Sequence, residues 1–176
     1  MTFRVLSQDP GSRFAGVCVV ERDGAIWHAR MLVSIGPRDN EDACGRLARI
    51  FDAYDQAGEV HCVCSEQQTH VSIGAQKAGQ VQVIGNLRVH EVVGAARREA
   101  HRRRVPFVEL PTATVMRRVT GSGKWRGKGK GVDYQLLGRA LRAQVRGIPD
   151  RVSQHVLMAI AVGIAGARAD GGRGSA

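Results

Sequence analysis

The sequence predicts an α/β fold: a mixed five-stranded sheet, three antiparallel strands plus a parallel extension, flanked by helices. Three observations carry this. The first 33 residues hold three apolar runs separated by turn signals; β-rich runs then alternate with segments of helical periodicity; and the last third of the 176-residue chain is dominated by helical patterns.

Phe3 to Ser7 is a short apolar run leading into Asp9-Pro10-Gly11-Ser12, and Ala15 to Glu21 is a second, ending in Arg22-Asp23-Gly24. Ala25 to Val33 supplies a third strand, with Asp23-Gly24 as a two-residue hairpin signal. Asp39 or Asn40 then caps a helix in which Cys44, Leu47, Ile50, Phe51 and Tyr54 recur at the three-four spacing of a buried stripe, stopping at Gly58. Val60 to Cys64 is β-rich and uncharged, as a strand covered on both faces should be, and Glu66 stands at its C-terminal end. Ser72 to Arg104 reads as a long helix containing Gly74, Gly79, Gly85 and Gly94, which permit close packing on a neighbour. A strand follows over Val105 to Leu110, with Pro106 at its start. Thr112 to Val119 is a short helix, Gly121 to Gly131 a glycine- and lysine-rich loop, and Tyr134 to Val145 and Arg151 to Ala167 are helices. Residues 1–168 are expected to form one domain and 169–176 a frayed tail.

The formal net charge is +10, from 26 Lys and Arg against 16 Asp and Glu, which points to a polyanionic partner. No stretch approaches the roughly 18 apolar residues of a spanning helix, and an acid interrupts the first apolar run at Asp9, so no membrane role and a soluble cytoplasmic location are expected. Cys62-Val-Cys64 lacks the C-x-x-C spacing and second ligand pair of a zinc site, so Cys18, Cys44, Cys62 and Cys64 read as buried thiols.

Asp9 stands where the first strand meets its turn. Taken alone it reads as a turn aspartate bonding its own backbone. Glu66 changes this, because two carboxylates at neighbouring strand ends repel unless a cation lies between them. Such hard oxygen donors suit Mg²⁺, with Mn²⁺ able to substitute.

Phe3-Arg-Val-Leu-Ser-Gln-Asp9-Pro-Gly-Ser-Arg13, followed by Phe14-Ala-Gly-Val-Cys-Val-Val20, resembles the opening of RuvC-like Holliday junction resolvases, which have the RNase H-like fold. Ser65-Glu66-Gln67 is similar to the second acidic motif of that family, and Ser153-Gln-His155-Val-Leu-Met158-Ala-Ile-Ala-Val162 to its last helix; the resemblance runs over about residues 3–167. It implies a structure-specific DNA endonuclease that resolves four-way junctions by metal-dependent hydrolysis, acting as a homodimer through the long glycine-containing helix. Asp9, Glu66 and His155 match its catalytic and metal-binding positions. Met158 departs from the pattern, since it holds the position of the last family aspartate and a thioether does not hold Mg²⁺. Asp150 as a substitute ligand, three protein ligands completed by water, and an inactive chain are the three ways to accommodate this.

Two basic clusters offer phosphate contacts. Arg97, Arg98, Arg102, Arg103 and Arg104 crowd the end of the long helix, either as a solvated face or against DNA. From Arg117 to Arg151 there are ten Lys and Arg against only Asp133 and Asp150. Arg13, Arg117, Arg118, Lys124, Arg126, Lys128 and Lys130 are the expected phosphate contacts, and Trp125 is placed to stack on an unpaired base. The loop is not a P-loop, because Trp125 follows Lys124 where Ser or Thr must bind the cation. Other readings are a non-catalytic branched-DNA-binding protein of the same fold, another RNase H-like nuclease acting on flaps or RNA–DNA hybrids, and a general basic RNA-binding protein.

Overall fold

A computed structural model describes residues 2–11, 13–67, 79–123, 126 and 131–170. The chain runs β1 (Phe3–Asp9), β2 (Ala15–Asp23), β3 (Ile26–Ile35), α1 (Ala43–Gln56), β4 (Cys62–Gln67), α2 (Gly79–Arg103), β5 (Phe107–Pro111), α3 (Thr112–Thr120), α4 (Tyr134–Arg142), β6 (Val145–Arg146) and α5 (Gln154–Asp170). One sheet has the order β5-β4-β1-β2-β3-β6. β1, β2 and β3 are antiparallel neighbours, whereas β4 pairs parallel to β1 and β5 parallel to β4. This is the expected antiparallel meander with its parallel extension.

The sheet has six strands rather than five. Val145–Arg146 pairs parallel with Trp27–His28 at the far edge, in a segment whose sequence reads as the end of a helix. The cause is visible in the pattern: Leu137, Leu141 and Val145 continue one apolar stripe at a spacing of four, and all three are buried. After Ala143 caps α4, however, Val145 buries itself as a strand residue beside Trp27. Three boundaries also shift. Asp42, not Asp39 or Asn40, caps α1 by accepting from the Gly45 amide at 2.7 Å. The two-residue hairpin loop is Gly24-Ala25, with Asp23 paired to Ile26 and Gly24 at φ +58°. The last helix begins at Gln154 rather than Arg151, where Ser153 Oγ accepts from the Val156 amide at 3.2 Å. The expected first residues of the long helix, 72–78, lie outside the described residues.

Helices cover both faces. On one, α3, α4 and α5 pack on Val5, Cys18, Val20, Cys62 and Cys64; on the other, α1 and α2 pack on Leu6, Val17, Val19 and Val63. α5 is buried along nearly its whole length, Val156 through Ala167, consistent with its apolar sequence. Cys62 and Cys64 share a face as expected, with sulfurs 3.4 Å apart, but Cys44 is exposed rather than buried. No helix among the described residues is long and apolar enough to cross a membrane.

Candidate active site

Asp9 is the last residue of β1. Pro10 has no amide hydrogen to continue the ladder, and the Gly11 amide turns back to donate to Asp9 O at 3.2 Å. In β2, Asp9 is paired with Gly16, where a side chain is excluded: a Cβ there would lie 2.1 Å from His155 O. The absence of a side chain at Gly16 lets the first turn of α5 descend onto the sheet. His155 Nδ1 consequently stands 2.7 Å from Asp9 Oδ2.

Glu66 belongs to β4. The parallel register places Ser7 beside Cys64 and Gln8 beside Ser65, so Asp9 and Glu66 are the next pair along the two strands. Each carboxylate is nearly sealed, at 5% and 7% exposure, so their mutual repulsion is little screened by water. Burial and the negative charge of Asp9 push the Glu66 carboxyl up to about 8, a hydrogen bond shared with Asp9 acts in the same direction, and the Thr112 hydroxyl, donating to Glu66 Oε1 from the first turn of α3, pulls the other way. The hydrogen bond to Asp9 raises the pKa of His155, opposed by partial burial and by the Arg46 charge. Phe14 stacks on the His155 ring, with centroids 5.8 Å apart and planes at 17°. Arg46 donates to Gly11 O and so fastens α1 to the turn behind Asp9.

No protein-family model matches the chain, and no curated protein matches it. Among solved structures, T. thermophilus RuvC in complex with a Holliday junction substrate superposes with a TM-score of 0.77 at 20% identity, covering 97% of this chain and 96% of that one. A second Thermus thermophilus RuvC structure gives 0.70 at 21% identity, with 97% of each chain covered. The yeast mitochondrial Holliday junction resolvase Ydc2 gives 0.60 at 14% identity, over 93% of this chain and 77% of that chain. The chain has the RuvC fold. At these identities the likeness is one of architecture, and the chemistry rests on the chain's own residues.

Within the RuvC fold, Asp9 bonds His155 on one side and shares a hydrogen bond with Glu66 on the other. Asp150 is exposed on the loop that runs along β3, two strands from β1: Ser153 Oγ lies 3.2 Å from Ser34 Oγ, and the Asp150 carbonyl accepts from Arg142. Met158 is buried at 1% exposure in the core of α5. Among the described residues no three His, Cys, Asp or Glu side chains are grouped so as to hold a metal ion. The donor chemistry of Asp9 and Glu66 nevertheless fits a hard divalent cation, since two buried acids this close need a proton or a cation between them.

Of the expected DNA contacts, Arg13 is exposed with its guanidinium 5.7 Å from the Phe14 ring centroid, and Arg117 and Arg126 are exposed. Arg118 is also exposed, but one of its guanidinium nitrogens donates to Ala165 O at 2.8 Å. Lys124, Trp125, Lys128 and Lys130 lie outside the described residues. The cluster at the end of α2 is largely engaged within the fold. Arg97 pairs with Glu109, Arg102 with Glu99 and Asp55, Arg103 with Glu99, and Arg98 lies over Phe51.

Sequence reasoning missed Tyr134, whose hydroxyl is pushed up to about 12 by burial and by the charges of Asp9 and Glu66, which places the start of α4 within electrostatic reach of the acids. Thr112 and Arg46 were missed too. A hydroxyl opening the helix after Pro111 was the available signal for Thr112; nothing local marks Arg46 or Tyr134.

Proposed function

We propose that the chain is a structure-specific DNA endonuclease that resolves four-way junctions by hydrolysing phosphodiester bonds. The observation that carries this is the pairing of Asp9 and Glu66 at adjacent parallel strand tips, both buried, with His155 bonded to Asp9. The basic balance of the chain and the likeness in fold to RuvC bound to a junction support the choice of substrate.

Asp9 and Glu66 would hold Mg²⁺ or Mn²⁺, with water completing the shell. When bound, the cation supplies Lewis acidity at the scissile phosphate and a water acidified for attack. The protein's own part is placement and proton handling. Asp9 fixes the imidazole through Nδ1, leaving Nε2 for the substrate side, and His155 is 33% exposed, open enough to exchange a proton with the attacking water or departing oxygen. Thr112 orients Glu66 by its hydroxyl, and Arg13, Arg117, Arg118 and Arg126, with Lys124, Trp125, Lys128 and Lys130, take the strands. Paired incisions require two sites, so a homodimer is the working assembly.

The test is cleavage of a four-way junction in Mg²⁺, with flap and RNA–DNA hybrid substrates alongside. Asp9→Asn should abolish cutting and leave junction binding near wild-type. Equal loss of binding and cutting would remove Asp9 from the chemistry, and preference for flap or hybrid would name a different nuclease. One observation favours a second reading, a non-catalytic branched-DNA-binding protein. Met158 supplies no carboxylate where the resembling family has one. Tight junction binding without nicking in either Mg²⁺ or Mn²⁺ would establish it.

A further inference from the structure

Behind the two acids, on the opposite face of the sheet, three polar side chains meet in an apolar layer. Alternation along β1 sends Asp9 toward α5 and Gln8 toward α1 and α2. Gln8 is 1% exposed and fully satisfied: its amide nitrogen donates to Ser65 Oγ at 3.1 Å and to Val92 O at 3.1 Å, while the Tyr54 hydroxyl donates to its oxygen. Ser65 Oγ in turn donates to the Glu66 carbonyl at 3.2 Å. Tyr54 and Val92 belong to the apolar cluster on this face, with Leu6, Ile50, Val63 and Ala96, a layer in which apolar side chains would pack without needing partners.

Burying such a network returns little net stability, because every group gives up water to gain its partner. What it supplies is geometry. Gln8 immediately precedes Asp9 and Ser65 immediately precedes Glu66, so their hydrogen bond ties β1 to β4 one residue before the strand tips. When both carboxylates are ionised, as holding a cation requires, they repel and push the strand tips apart. The tie opposes that displacement from beneath, and Tyr54 and Val92 fix the Gln8 amide so that it does not swing away.

We propose that Gln8 is a positioning residue that, with Ser65 and Tyr54, holds the Asp9 and Glu66 carboxylates at a spacing one divalent cation bridges. This rests on the reading of those acids as cation ligands. Groups hydrogen-bonded directly to metal ligands are worth about 10- to 100-fold in metal affinity, and a tie one residue behind the ligands acts toward the lower end of that range.

The experiment replaces the network with an apolar one, Gln8→Leu/Tyr54→Phe/Ser65→Ala, and measures Mn²⁺ binding by electron paramagnetic resonance beside thermal stability in chelator. The expected result is a variant as stable as wild type that binds Mn²⁺ about tenfold more weakly, with cleavage recovering at saturating Mn²⁺. Wild-type Mn²⁺ affinity in the stable triple variant overturns the proposal. Ser65→Ala alone, which deletes one hydroxyl, covers the case in which the triple variant fails to fold; it should weaken Mn²⁺ binding in the same direction, by up to about tenfold, and unchanged affinity overturns the proposal equally. If wild type itself binds no Mn²⁺ that Asp9→Asn abolishes, the reading of the acids as ligands fails and this inference falls with it.

Discussion

His155 Nδ1 stands 2.7 Å from Asp9 Oδ2, joining the first turn of α5 to the tip of β1 across 146 residues of sequence. That bond holds the imidazole and favours its protonated form. A histidine whose folded pKa is raised contributes stability that is complete below its unfolded value of about 6.5 and is lost as pH rises through the folded value. In Asp9→Asn the main cause of the shift disappears. The His155 pKa, followed by NMR titration of the ring protons, should fall back toward about 6.5; a value unmoved by the substitution would mean the bond does not form in solution.

Glu66 gives a second pH dependence, of the opposite chemical type but the same sign. Its folded pKa, about 8 against an ordinary 4.5, means that between those limits the folded protein keeps a proton the unfolded chain has lost. Stability must therefore fall as pH rises through that window, by a few kcal/mol at most. Glu66→Gln removes the proton and should flatten the dependence. Urea denaturation in chelator at pH 5 and pH 8 measures it, and adding Mg²⁺ at pH 8 should restore stability to wild type but not to the variant.

Phe14 is 39% exposed, yet its ring lies nearly parallel to His155 and, at its edge, comes so close to Gly36 that a Cβ there would stand 2.8 Å away. A ring held this way restrains the imidazole on the side Asp9 does not control. Phe14→Ala should lower single-turnover cleavage about tenfold, a misplacement effect. Junction affinity measured without divalent cation should change less than twofold by this account, and a matching loss in affinity would make Phe14 a DNA contact instead.

What the sequence disclosed and what it withheld divide along a physical line. β1, β4 and their terminal acids were legible because strand alternation and turn chemistry are local: Pro10 and Gly11 announce the end of β1 whatever lies around them. β6 was not, because Val145 satisfies the helical stripe of Leu137 and Leu141 as well as it satisfies a strand edge, and only the proximity of Trp27 decides. Gln8 reads as an odd polar residue in an apolar strand, and its meaning depends on Tyr54 and Ser65, 46 and 57 residues away. Arg97 and Arg102 look free for DNA along a helix surface, since nothing nearby in sequence shows that Glu109 and Asp55 will reach them. His155 came from resemblance, and the geometry then supplied its partner.

The loop cations Lys124, Lys128 and Lys130 carry a prediction that depends only on their charge. Each phosphate neutralised contributes about 0.9 to the slope of log affinity against log salt for duplex DNA, so replacing all three with alanine should reduce the slope by about 2 to 3. Fluorescence anisotropy with a four-way junction across a salt series measures this. An unchanged slope would place the loop off the DNA.

Met158 brings the two readings of function into direct conflict. Its side chain is enclosed at 1% exposure, and a carboxylate put there gives up its hydration. Met158→Asp should therefore destabilise the metal-free protein by about 2–4 kcal/mol, which for a chain of this size lowers Tm by roughly 5–15 °C. The position is also three residues after His155, on the helical face that carries His155 to Asp9. If those acids are built to share a divalent cation, a third oxygen ligand strengthens the hold, and Mg²⁺ should raise the Tm of Met158→Asp by more than it raises that of wild type. Differential scanning fluorimetry with and without Mg²⁺ decides it. A variant that is destabilised in chelator and gains nothing from Mg²⁺ would show that position 158 serves the core alone, and would move the balance toward a protein that grips branched DNA without cutting it.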